Sequence, residues 1–444
     1  MAGRVPAVDA AAVQGSAPRR ALAAWALYDW AASPFSAIVV TFVFPTYFAR
    51  SLAGDEVTGT ALWGWAMTAS ALLVAVLSPP LGAIADAGGR RKPWLGWSTL
   101  VAALATAGLW WAAPTSASIP VALVAVLLAA TALDVAQTFY NAMLPDLASP
   151  ARLGRWSGWG WGLGYVSGIV TLLLALVLLI QADPPPFGLD KEAAEQVRIL
   201  GPLVGAWLLL FTLPLLAYCP DRPGSGMPVG RVVREGFGRL RATLRGLRSE
   251  RNLVRFLLAR LVYNDGLNTL FAFGGIYAAG TFGMTLDEVI QLGVALNLTA
   301  GLGAFAFAQL DDRIGSKPTI LLSLVGLIVA GTVALLATDK GTFWVAALLL
   351  GAFVGPAQSA SRTLMARLAP PERRNELFGL YALSGRITAF LGPFLFGTAT
   401  LLFSTQRAGM ATVLVLFVVG GLLLLRVREP SSAMGRHEAV KRAG

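Results

Sequence analysis

Twelve apolar runs, each long enough to cross a bilayer, dominate this chain: 22–49, 61–85, 94–113, 119–143, 158–181, 200–218, 254–280, 287–310, 318–337, 343–366, 377–403 and 409–425. A helix rises 1.5 Å per residue, so a hydrocarbon core of about 30 Å takes about 20 residues. Lipid offers backbone groups no hydrogen bonds, so each run must satisfy its own. The pattern specifies an all-α, multi-pass membrane protein. Composition agrees, with 444 residues, 56% hydrophobic, only 13% charged, and a mean hydropathy of +0.66. The first run is too long for a signal-peptide core, carries Asp29, and has no small-residue cleavage pattern after it, so it is expected to stay in the mature protein.

A net charge of +11 in a soluble domain would suggest a nucleic-acid partner, but the placement of the bases excludes that reading. Of 35 Lys and Arg, 27 fall in alternate turns shared with both chain ends, five in the other turns (Arg50, Lys191, Arg198, Lys340, Arg407), and three inside runs. Such a bias marks the cytoplasmic side, so both termini are expected inside. Only five of the bases are Lys, and Ala and Gly are abundant, which points to a GC-rich bacterial genome and hence a cytoplasmic (inner) membrane. The expected organisation is a tail 1–21, a six-helix bundle 22–218, a cytoplasmic linker 219–253, a second six-helix bundle 254–425 and a tail 426–444. Within the linker, Val233, Phe237, Leu240, Leu244 and Leu247 alternate at helical spacing with Arg231, Arg234, Arg241, Arg245 and Arg248. That pattern predicts a basic amphipathic helix over 231–248 that lies on membrane-lipid headgroups, or alternatively a regulatory docking site.

The halves repeat. A shift of 221 residues lays Leu147-Ala148-Ser149-Pro150-Ala151-Arg152 on Leu368-Ala369-Pro370-Pro371-Glu372-Arg373, and Gly158 and Gly164 on Gly379 and Gly385. The turn Asp86-x-x-Gly89-Arg90-Arg91 after run two has an echo, Asp312-Arg313-Ile314-Gly315, after run eight. These turns resemble the loop signature of the major facilitator superfamily. The stretches Leu27-Tyr28-Asp29-Trp30-Ala31, Asn141-x-x-Leu144-Pro145-Asp146 and Glu376-Leu377-Phe378-Gly379-Leu380-Tyr381 resemble its vacuolar amino-acid effluxer branch, whose bacterial members are often called the "unknown major facilitator" family. Ala32 and Ala87 depart from the usual pattern. The resemblance covers nearly the whole chain and implies a major facilitator fold of two six-helix pseudo-repeats, with runs one, four, seven and ten around a central cavity.

Polar stripes on those same runs agree independently. Asp134, Gln137, Thr138 and Asn141 share one face of run four, as do Trp25, Asp29, Ser33 and Ser36 in run one; Arg260, Asn264 and Asn268 do so in run seven, and Gln358 with Arg362 in run ten. Ionisable side chains in hydrocarbon are costly and usually face a cavity or one another. Asp29, Asp134 and Asp265 are therefore the proton-coupling candidates. Arg386, Arg260, Gln137, Asn141, Asn268 and Gln358 are the substrate-binding candidates. Helical rise puts Asp265 and Arg386 about 16 and 13 Å deep, and Asp29 and Arg260 about 10 Å. Arg386 is expected to anchor an anionic group or to pair with Asp265 or Asp29. Arg362, near the predicted inner end of run ten, reads as an interfacial base. The turns carrying Asp86, Gly89 and Arg90, and Asp312, Arg313 and Gly315, are expected to gate access. The glycines Gly158, Gly160, Gly162, Gly164 and Gly168 are expected to permit close helix packing.

A phosphate-binding Gly-x-x-x-x-Gly-Lys-Ser/Thr loop, a carbonyl selectivity filter and a nucleophile-plus-base arrangement are all missing from the sequence. One Cys, Cys219, and one His, His437, exclude an internal disulfide and a histidine metal cluster; no metal, cofactor or enzymatic activity is expected. The reading that remains is a secondary transporter moving a small polar or zwitterionic solute by alternating access, with protons as the candidate coupling ion. Amino-acid efflux is what the resemblance implies. A transport-silent sensor or partner-binding protein, or a lipid or lysolipid mover, are the alternatives.

Overall fold

The computed structural model describes residues 17–54, 56–246, 250–385 and 391–429, and those residues are helical wherever they are regular. Among the described residues, nine helices are long and apolar enough to cross a membrane. Three further spans complete a twelve-helix bundle. Lys92–Ala107 has only 16 residues before a 3-10 turn, Arg251–Phe282 is made more polar by Arg260, Asn264 and Asp265, and span eleven is described in two pieces, Arg374–Ser384 and Leu391–Phe403. Arg386, the anion-anchor candidate, lies outside the described residues.

Span one begins as Arg19–Pro34 and continues through π-helical turns, Phe35–Phe42 and Phe48–Leu52, around Phe44–Tyr47. Pro45 accounts for the first of these, which it follows: a proline ring cannot sit against the carbonyl four residues back, and a wide turn moves it. The other spans are Glu56–Gly88, Ile119–Leu147, Leu153–Ala175, Leu200–Tyr218, Leu286–Ile314, Ser316–Leu336, Lys340–Leu368 and Gln406–Leu425. The linker helix forms over Val229–Gly246.

Each half is pinned by the same devices. Lys92, opening span three, donates to the Leu216 carbonyl at 2.8 Å, and Asp221 beyond span six accepts the N–H groups of Arg91 and Lys92. In the second half Lys317 donates to the Leu425 carbonyl at 2.8 Å, and Glu429 beyond span twelve accepts the N–H groups of Ser316 and Lys317. At the far ends Arg198 and Arg407 bind the Trp110 and Ala337 carbonyls, each at 2.7 Å. Helix termini leave unpaired N–H and C=O groups, and in a membrane protein the partner must come from a neighbouring helix.

The halves meet through span two against span eleven and span five against span eight. Glycine sets these approaches. A Cβ on Gly158 would lie 2.6 Å from the Ala304 carbonyl oxygen, and one on Gly379 2.6 Å from that of Ser78. Span five carries glycines on two faces: Gly158 and Gly162 meet span eight, whereas Gly160 and Gly164 meet Asp29 and Ser33 of span one.

At the end bearing most of the bases, hereafter the base-rich end, polar ties hold the halves shut. Asp86 of span two accepts from Asn375 Nδ2 at 2.6 Å and from the Glu376 N–H at 2.9 Å. Asp146 collects Arg91, Arg222 of the linker and Arg374 of the other half. Arg155 faces Asp312 at 3.7 Å. Gly89 and Gly315 take left-handed φ values of +86° and +97°, which favour glycine. The bases Arg90 and Arg313 are exposed, whereas their neighbours Arg91 and Asp311 are buried in the ties.

Glu429 both caps span nine and pairs with Arg367, so Glu429→Gln is expected to cost about 2 kcal/mol. Asp221→Asn, which loses only the charge on a cap, is expected to cost about 1 kcal/mol. Thermal unfolding in detergent checks both, with the larger drop expected for Glu429→Gln.

Candidate functional site

A cavity of about 630 Å³ lies between the halves and is lined chiefly by spans one, four, five, seven, eight and ten, with residues of spans two, nine, eleven and twelve. Thr41 and Phe271, toward the end opposite the base-rich one, line it and are exposed. The inter-half ties close it at the other end. It is therefore a solvent-reachable chamber open toward one side of the bundle.

Its floor is a buried ion pair crossing between the halves. Arg362 of span ten donates from Nη1 to Asp29 Oδ2 of span one at 2.9 Å, with the two side chains 3% and 11% exposed. The rest of the guanidinium is accounted for by Ser157: Nε reaches its hydroxyl at 2.9 Å and Nη2 its carbonyl at 2.6 Å. Trp25, Tyr140 and Trp161 face the cation at 4.9, 5.6 and 5.8 Å. The Tyr140 hydroxyl donates to the same Asp29 oxygen at 2.9 Å, and its ring stacks on Trp25 at 4.5 Å. Gly160 makes the room, since a Cβ there would lie 2.5 Å from Asp29 Oδ2 and 3.0 Å from Arg362 Nη2. Buried charge is tolerated here because every nitrogen of Arg362 has an acceptor.

Arg362 is thus a correction to the expectation of an interfacial base. Its helix runs two residues beyond the predicted end, to Leu368, and the first half covers the stretch that a single span would leave at the membrane surface. No sequence distance signals that covering. Tyr140, on the face of span four next to the Asp134 stripe, was likewise missed.

Arg260 presents a different arrangement. It lines the cavity, lies flat over the Tyr381 ring at 3.5 Å, and donates through Nη1 to the Tyr381 carbonyl at 2.7 Å and the Ser384 hydroxyl at 2.8 Å. Its Nε has no hydrogen-bond partner, and among the described residues no carboxylate forms a salt bridge with it. Gly385 packs directly on this guanidinium.

The remaining candidates divide. Asp134, Gln137, Asn141, Asn268 and Gln358 all line the chamber. Asn141 Oδ1 faces Arg362 at 3.4 Å, and Gln358 accepts from the Tyr165 hydroxyl at 3.1 Å. Asp265 does not line it. Its side chain is turned toward span eleven, where Oδ2 accepts the Gly392 N–H at 2.8 Å. One residue around the helix from the Arg260 stripe proves enough to point it away.

If the cross-half pair is what keeps Arg362 neutralised, Asp29→Asn strands a buried cation and is expected to lower stability by about 3 kcal/mol. Asp29→Asn with Arg362→Gln is expected to recover more than half of that. A double-mutant cycle on thermal or denaturant unfolding measures the coupling, and additive losses would contradict the pairing.

The family model described as "Vacuole effluxer Atg22 like" matches residues 151–436, and the Major Facilitator Superfamily model matches residues 31–181. The uncharacterized MFS-type transporter YxiO of Bacillus subtilis (strain 168) is 28% identical over 416 residues, covering 92% of this chain and 95% of its own. Autophagy-related protein 22 of Cryptococcus neoformans var. neoformans serotype D (strain B-3501A) is 26% identical over 307 residues, covering 65% of this chain and 54% of its own. The chain thus spans about half the length of that fungal relative. Among solved structures, the E. coli fucose:proton symporter FucP superposes with a TM-score of 0.72 at 14% identity, covering 93% and 99% of the two chains. The human organic anion transporter MFSD10 (TETRAN) gives 0.69 at 14% identity, covering 91% and 99%. These structural likenesses establish the fold.

Proposed function

The chain belongs to the vacuole effluxer Atg22-like family of major facilitator transporters, and from that premise we propose that it exports a small carboxylate-bearing solute, with an amino acid as the specific case. It is a multi-pass membrane protein and a secondary transporter. The observation that carries the solute reading is Arg260, a cavity-facing guanidinium held by Tyr381 and Ser384 with no acid partner among the described residues. A guanidinium holds a carboxylate by parallel hydrogen bonds, and the aromatic face beneath it fixes the plane. Asp134, Asn141 and Gln358 supply acceptors elsewhere on the wall, as the amine end of a zwitterion requires.

In this reading the base-rich end faces the cytoplasm, both termini included, and the described conformation is open to the outside. The membrane is the bacterial cytoplasmic one. Asp29 is the coupling acid. Protonation from the open side removes its charge, releases Arg362, and so loosens a contact that must part before the halves rock the other way. Arg362 and Asp29 belong to different halves, which is what lets one titration bias both access states.

Counterflow of labelled amino acids in proteoliposomes tests the function. Transport is expected, and Arg260→Lys is expected to raise the half-saturating concentration of the carboxylate solute by about tenfold or more while an amide analogue is unaffected. Equal loss for both compounds contradicts anchoring, and absence of counterflow for every amino acid contradicts the solute class.

Orientation has its own test. The native Cys219 is buried and its thiol is pushed up to about 12 by burial, so it contributes little thiolate. Cysteines placed at Ser116 or Lys340 are expected to label with impermeant reagent from outside intact cells, and one at Ser225 is not. Labelling at Ser225 from outside would invert the orientation.

A further inference from the structure

The closure at the base-rich end contains a buried acid that the cavity does not use. Glu376, in the first turn of Arg374–Ser384, is fully buried, and neither of its side-chain oxygens completes a hydrogen bond. Asp86 faces it from span two and is far better served, accepting the Asn375 side chain at 2.6 Å and the backbone N–H of Glu376 itself at 2.9 Å.

The other charged groups around it are already engaged. From the linker helix, Arg239 pairs with Glu235 and also reaches the Asp86 carbonyl. From the turn before span eleven, Arg373 pairs with Glu250 and donates to the Thr243 hydroxyl at 3.2 Å. The Thr243 hydroxyl lies beside the Glu376 carboxyl, while Arg373 and Arg239 act on it only at a distance, from their pairings with Glu250 and Glu235. Two ionised carboxylates in one dry site oppose each other strongly. The pair is resolved when the acid with donors stays charged and the acid without them is neutral.

We propose that Glu376 is a proton-binding site of the inner closure, holding a proton on its side-chain oxygen while span eleven lies against span two and releasing it to entering water when they part. The closed arrangement then carries one proton more than the open one, so acid favours closure and alkali favours opening at this end. The site is separate from the cavity and from Asp29, and it places a proton change in the same step that exposes the base-rich side.

The test reads opening directly. A cysteine at Ser78, which is 1% exposed beneath the span-eleven contact, is labelled from the base-rich side in inverted vesicles and normalised to an exposed cysteine at Ser225. The normalised rate is expected to fall as pH falls, by up to about tenfold per pH unit in the window where only the closed state holds the proton. In E376Q it is expected to stay slow and flat with pH, because the neutral amide mimics the protonated acid. D29N removes the opposing contribution of the cavity acid, so its normalised rate is expected to fall with falling pH at least as steeply as the wild type's, which separates this site from Asp29. E376Q retaining the wild-type slope overturns the proposal, as does loss of the slope in D29N alone. Should E376Q fail to assemble, E376D decides, since a displaced midpoint is expected there and an unmoved one overturns the assignment.

Discussion

A guanidinium in the interior of a membrane protein has to be answered by its surroundings, and the answer given to Arg362 organises much of this molecule. Its partners come from span one, through Asp29, and from span five, through Ser157, while its own helix belongs to the other half. The aromatic ring of contacts requires Trp25, Tyr140 and Trp161 on three different helices, and Gly160 exists at a position where no Cβ fits. A contact of this kind is strong only while dry. Its strength and its sensitivity to a proton or to water therefore have the same origin.

Around that centre the two halves behave as braced units. Lys92, Asp221 and Arg198 tie spans three and six together at their ends, and Lys317, Glu429 and Arg407 do the same for spans nine and twelve. Bracing of this sort puts motion at the contact between halves, where glycines rather than large side chains set the spacing. Small residues keep helices close without interlocking them, which suits surfaces that must separate and meet again. The ties across the base-rich end are polar for a related reason: hydrogen bonds to carboxylates exchange for water when the end opens, at a smaller net cost than exposing an apolar seam.

The fold was legible because hydropathy and the bias of bases are local properties, repeated along the chain. The cavity-lining stripe of span four was legible for the same reason, since Asp134, Gln137 and Asn141 follow from helical spacing alone. What could not be read is what depends on one half covering the other. Arg362 counts as interfacial on its own helix and as central only once span five lies over it. Arg90 and Arg91 are adjacent bases of the same type, and only the positions of Asp146 and Asp221 decide that Arg91 is buried. Asp265 missed the cavity by the 100° that separates one helical position from the next. Glu376 looked like part of a family stretch, and its burial without an ion-pair partner is a property of three elements meeting.

The caps on spans three and nine have a consequence for how the chain is made. The N–H groups of Arg91 and Ser316 emerge from the ribosome long before their acceptors, which lie 130 and 113 residues further on. Each half therefore carries an unsatisfied helix start at the membrane edge until its sixth helix has been synthesised and inserted. Completion of the sixth helix is then a chemical event as well as a topological one, because it delivers the carboxylate that closes the unit. A chain arrested between spans nine and twelve displays a bare, positively polarised helix end next to Lys317, a mark by which an unfinished half differs from a finished one on its exposed surface.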